Sequence, residues 1–212
     1  MITAALEQRM LDFVCQHMQQ DVAHDRQHVL RVVKLAKRLC AEEGAQLQIV
    51  LPAAYLHDCF SYAKDHPDRG NSSRLAADKA LQFLSGLHYP AEYFEAIHHA
   101  IVAHSYSAKV APETLEAKIV QDADRLDAIG AIGIARCMQV SASLGRPLYA
   151  EHDPFCVSRA IDDGAYTLDH FYKKLLLLAK QMHTASAKAE AGQRTQFMQQ
   201  YLLQLGREIN PA

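Results

Sequence analysis

The 212-residue chain has no tryptophan, and glycine (9) and proline (7) are each outnumbered by histidine (12). No stretch alternates apolar and polar residues as a strand does, and no Asn-Gly pair joins two apolar runs, so a β architecture is excluded. No run approaches about 18 apolar residues, so no membrane span is expected. The five cysteines (Cys15, Cys40, Cys59, Cys137 and Cys156) are odd in number and form no CxxC pair. They are expected to be reduced thiols of a cytoplasmic protein. The opening MITAALEQRMLDF is amphipathic and charged, so no signal peptide is expected. Charge of one sign is also missing: 22 Lys and Arg against 24 Asp and Glu leave −2. That argues against a nucleic-acid polymer held by a bulk positive field, though not against a local basic pocket. There is no internal repeat, no low-complexity tract, and no GxSxG elbow for a metal-independent ester hydrolase.

What is present is helical periodicity. Half the residues are hydrophobic, enough for a sizeable core. Apolar residues recur at steps of three and four over 4–18 and 27–43, with Gly44 placed to cap the second helix. Residues 46–59 are apolar all round and predict a buried central helix, with Pro52 in its first turn or at a kink. Residues 61–70 read as a loop, and Asn71, Ser72 or Ser73 can start a helix running to Leu87. A further helix is predicted over 91–104. The stretch 113–144 is too long for one ordinary helix and should break near Gly130 or Gly133. Helices over 158–182 and 185–205 complete an all-α bundle of about eight to ten helices in one compact unit.

One constellation carries chemistry. His57-Asp58 ends the apolar helix AAYLHDC. Adjacent residues lie about 100° apart around a helix, so both side chains can lean toward one point. A buried Asp is costly unless a cation satisfies it, and a divalent ion would satisfy both residues. His28 precedes the pair at the start of HVLRVVKLAKRL, and QDADRLDAIG follows with Asp122, Asp124 and Asp127. Such a set offers two imidazoles and two carboxylates, with open positions for water and substrate.

The order His, His-Asp, Asp resembles the HD-domain superfamily of metal-dependent phosphohydrolases. The segments AHDRQHVLRV, LHDCF, AIVAHSYS, KIVQDADRLDAIGAIGIAR and FYKKLLLLAKQMHT, with the later Arg194, resemble its YedJ/YpgQ-type bacterial branch over nearly the whole chain. The resemblance implies an all-α HD-type domain over 1–212, with a metal-binding core over about 20–145 and a C-terminal helical hairpin over about 157–207. It implies His28, His57, Asp58 and Asp124 as ligands of a divalent ion (Mn, Mg, Fe, Co or Ni). It also implies hydrolysis of a phosphoester or phosphoanhydride bond in a small phosphorylated substrate, with nucleotides and pyrophosphate release as the favoured class. The alternative is a metal- and nucleotide-binding sensing module without turnover. Either would act as a monomer or homodimer, away from membranes.

Several further residues keep more than one reading. Asp58 could bind metal through one oxygen and orient the attacking water through the other. Arg31, Lys64, Arg69, Arg125 and Arg136 are the cations available for phosphate, with Arg69 first because it lies in the loop after the His-Asp helix. Arg31 and Arg69 could instead be salt-bridge partners. His99 and His104 match family positions. They could bind phosphate, protonate a leaving group, recruit a second metal or bond to backbone. Asp122 is the second choice to Asp124, and Asp127 suits orienting a ligand or an Arg. His24-Asp25 is a decoy pair in which Asp25 makes a natural helix cap. Tyr62, Tyr106 and Tyr149 could stack on a base. Cys59 reads as an apolar neighbour of the site.

Overall fold

A computed structural model describes residues 2–18, 25–62 and 66–210. Lys64 and His24 lie outside them. The described residues hold nine α-helices, four short 3-10 helices and no strand, as the periodicity predicts. None of these helices is long and apolar enough to cross a membrane. The chain forms two compact units, Met1–Asp124 and Arg125–Ala212.

In the first unit, α1 (Ala4–His17) is capped by Thr3, whose side chain accepts the Leu6 N–H. α2 (Arg26–Glu43) is capped by Asp25 and closed by Gly44, whose φ of 71° is strained for residues with a Cβ. α3 (Leu47–Leu56) is buried from Ile49 onward. Beside it stand α4 (Ser72–Gly86) and α5 (Phe94–His104), and α6 (Leu115–Asp127) follows in the chain. α3 packs on α1, α2 and α5, and α4 packs on α5. Pro52 sits inside α3, past its first turn. A proline cannot donate to the carbonyl four residues back, here that of Gln48. Tyr89 supplies the missing donor, its hydroxyl reaching the Gln48 carbonyl at 2.6 Å.

The long stretch 113–144 breaks where expected. α6 ends at Asp127 and α7 (Gly130–Ser143) begins three residues later. The turn brings Gly133 against the Ala128 carbonyl, where a Cβ would lie 2.3 Å from the oxygen. In the second unit, α7 packs on α9 (Ala185–Ile209). Thr184 caps α9 through the Ala187 N–H.

The helix expected over 158–182 does not form. Only α8 (Asp169–Lys173) and a 3-10 helix (Leu175–Gln181) appear there. Acidic side chains take the backbone donors that a helix would use. Asp153 accepts the N–H groups of Val157, Ser158 and Arg159, and Asp162 accepts those of Gly164 and Ala165. Arg159 then clamps the buried Asp169 with two bonds of 2.7 and 2.6 Å. So the tail is not a simple pair of long helices.

Two glycines give opposite tests of this packing. Gly133→Ala should destabilise by about 1–3 kcal/mol, since the Ala128 carbonyl must move. Gly192→Ala, in mid-α9 with nothing within 4 Å of the added Cβ, should stabilise by roughly 0.5–1 kcal/mol. Urea unfolding of both variants checks the signs.

Candidate metal centre

Helix ends of the first unit build the site. At the start of α2, Asp25 Oδ1 accepts the His28 N–H at 2.7 Å, which fixes His28 in the first turn. Asp25 is thereby occupied as a cap. At the end of α3, His57 Nδ1–H donates to the Ala54 carbonyl at 2.9 Å. At the end of α5, His104 repeats this with the Ile101 carbonyl. Carbonyls in a last helical turn have no donor within the helix, so they are free to take the imidazoles. Each bond commits Nδ1 to the backbone and turns Nε2 toward the site.

There the side chains converge. His28 Nε2 lies 3.4 Å from Asp124 Oδ1 and 3.8 Å from Asp58 Oδ2. His57 Nε2 lies 3.5 Å from Asp58 Oδ2, and His104 Nε2 lies 3.5 Å from Asp58 Oδ1. Asp58 therefore faces His28 and His57 with one oxygen and His104 with the other. The His57 ring stands edge-on to both neighbours, with centroids 5.6 Å from His28 and 4.9 Å from His104. His28 and His57 are fully buried, whereas Asp58 and Asp124 are 20% and 30% exposed. Both carboxylates thus stay open to an incoming ion.

The electrostatics match the geometry. Burial lowers the His57 pKa, so this imidazole is neutral. Burial also disfavours protonated His104, but the hydrogen bond and charge of Asp58, with the charge of Asp124, outweigh it and raise its pKa. Burial opposes ionised Asp124, yet His28, His57 and His104 pull its pKa below the usual range.

These residues fit a divalent cation. His28, His57 and Asp58 each offer a ligand atom, all within 4.8 Å of one another. His57 Nε2 is buried and makes no hydrogen bond among the described residues. A buried lone pair left unmatched costs about 1–3 kcal/mol. Two imidazoles with carboxylates suit a divalent ion of intermediate hardness. Asp124 rather than Asp122 reaches His28. Two positions apart on α6, they point about 200° apart around the axis, and Asp122 is fully buried.

Arg31 is half-buried, one turn after His28 on α2. Arg69 Nη1 donates to the Tyr62 carbonyl at 2.8 Å. His99 Nε2 accepts the Glu113 N–H at 3.0 Å, which ties the loop before α6 to α5. Within the second unit, Arg125 Nη1 donates to the Gln181 carbonyl at 2.6 Å. Arg136, a phosphate candidate by sequence, instead binds Asp127 at 2.8 Å. The buried Asp127 carboxylate demands a cation within its own unit. Cys59 is buried with its thiol on the Ala76 carbonyl and its pKa pushed up to about 12, chiefly by burial, so it is no nucleophile. Sequence reasoning passed over His66, which lies flat against Tyr62. Its only signal was a histidine four residues after an aromatic, inside a polar loop.

Comparison with known proteins agrees with this construction. Residues 26–129 match the HD domain family model. The chain is 37% identical over 190 residues to YpgQ of Bacillus subtilis, covering 88% of this chain and 84% of YpgQ. It is similar to the crystal structure of Bacillus subtilis YpgQ in complex with ADP, with a TM-score of 0.74 and 32% identity over 98% of this chain and 96% of that one. A crystal structure of an HD-superfamily hydrolase from Bacillus thuringiensis gives a TM-score of 0.76 and 32% identity over 98% of both chains. With His28, His57-Asp58 and Asp124 drawn together in the family's order, the chain belongs to the HD domain family.

Proposed function

We propose that this protein is a metal-dependent phosphohydrolase acting on a small phosphorylated substrate, a nucleotide, at a phosphoester or phosphoanhydride bond. The observation that carries this reading is the meeting of ligand atoms of His28, His57 and Asp58 within 4.8 Å of one another, with Asp124 3.4 Å from His28. The ADP held by the similar YpgQ structure supports the substrate class.

In this reading His28, His57, Asp58 and Asp124 hold the ion. A bound divalent ion polarises a phosphoryl oxygen and lowers the pKa of water. The protein's own groups do the rest. Asp58 Oδ1, turned from the ligand side toward His104, accepts a hydrogen bond from the attacking water and orients it. His104, with Nδ1–H on the Ile101 carbonyl and Nε2 facing the same Asp58 oxygen, takes the proton of the attacking water at Nε2. Arg31, on the His28 face of α2, offsets phosphate charge.

Two experiments test this. Metal-stripped protein refilled with Mn is given nucleoside mono-, di- and triphosphates, and phosphate and pyrophosphate are measured separately. Asp58→Ala should lose both bound metal and turnover. His104→Gln should keep its metal and lose about 10²–10⁴-fold in kcat. Metal and nucleotide binding without either product across the panel would favour the sensing module instead.

The second experiment follows the proton. Before the ion binds, Asp58 and Asp124 favour the protonated form of His104. An ion neutralises both carboxylates, so its binding should expel a proton and tighten as pH rises. Calorimetry in buffers of different ionisation heat reads this release, which should vanish in His104→Gln.

A further inference from the structure

Four residues beyond Asp58 the main chain is pinned from both sides. The Tyr62 N–H donates to Ser72 Oγ at 3.1 Å, and the Tyr62 carbonyl accepts Arg69 Nη1 at 2.8 Å. The Tyr62 ring lies parallel to that of His66, with centroids 4.1 Å apart and 6° between the planes. It meets Phe60 edge-on at 5.0 Å, and Lys79 Nζ sits 4.2 Å over the Phe60 ring. Tyr62 and His66 are both half-exposed, so the pair is a surface feature rather than core packing. Two clamped backbone groups hold a flat aromatic surface four residues along the chain from Asp58.

We propose that the Tyr62–His66 stack is the platform for the planar base of the substrate, with the base adding to the row of rings. This rests on the nucleotide reading above. Four residues span at most about 14 Å of extended chain, which limits how far the Tyr62 backbone can lie from that of Asp58. That is the scale separating a nucleotide's base from its terminal phosphates. Stacking accepts any base, because every base has a π-face. The platform therefore separates nucleotides from base-free polyphosphates without choosing among bases. Arg69 acts through Tyr62, as a positioning residue for the platform.

The test is calorimetric binding of two probes that resist turnover, α,β-methylene adenosine diphosphate and base-free methylenediphosphonate, to the Mn-loaded protein. Wild type should bind the nucleotide probe at least about tenfold more tightly. Tyr62→Ala should erase most of that margin while leaving the base-free probe within about twofold. Tyr62→Phe should preserve the margin. His66→Ala, a change at a half-exposed position, should shrink it and guards against a misfolded Tyr62 variant. A wild type without the margin, a margin surviving in both alanine variants, or equal loss of both probes would overturn the platform.

Product assays separate this from the hydrolase reading. Nucleotide binding with the margin but no product from any nucleotide leaves the platform standing and removes hydrolysis. Equal turnover of nucleotides and inorganic tripolyphosphate keeps hydrolysis and removes the platform.

Discussion

Two carboxylates facing one buried imidazole form the constraint on which the first compact unit depends. Asp58 and Asp124 both approach His28, which has no contact with solvent. Charge in such a place is tolerated only when it is matched. The imidazoles of His57 and His104 differ in protonation by position. His57 is driven neutral by burial, while His104, beside the second oxygen of Asp58, is drawn toward the charged form. One carboxylate thus faces two buried imidazoles with one oxygen and His104 with the other.

The scaffold meets this constraint with helix termini, where the backbone has hydrogen-bonding groups to spare. His57 and His104 each close a helix and each return Nδ1–H to a carbonyl three residues back. Asp25 does the converse at the start of α2, taking the N–H of His28 itself. Imidazoles fixed to backbone in this way are oriented before any ion arrives, which lowers the ordering cost of binding one. The same economy appears away from the site. Tyr89 donates to the Gln48 carbonyl that Pro52 cannot reach, so a proline survives inside the most buried helix.

The second unit spends its charges on structure. Arg159 clamps Asp169, Arg136 neutralises Asp127, and Arg194 donates to the Leu126 carbonyl at the end of α6. Arg125 binds the Gln181 carbonyl. Two of these arginines, Arg125 and Arg136, were attractive as phosphate ligands by sequence, because a cation near an acidic motif looks free until its partner is visible. The partners are backbone carbonyls and acids brought close by turns, and neither leaves a periodic trace.

The sequence by itself determined the helical class, the caps at Asp25 and Gly44, the break before Gly130 and the order His28, His57-Asp58, Asp124. Each of these is local: a period, a cap or a spacing is set within a few residues, and a family's order of motifs is read along the chain. The tertiary structure decided what depends on distant neighbours. It turned Asp124 rather than Asp122 toward His28, set His104 against Asp58 while leaving His99 on the Glu113 backbone, and laid His66 on Tyr62. It also dissolved the helix expected over 158–182, because Asp153 and Asp162 capture backbone donors that helical periodicity counts as taken. Side-chain partners across the fold follow from packing angles and helix ends, which no single stretch of residues specifies.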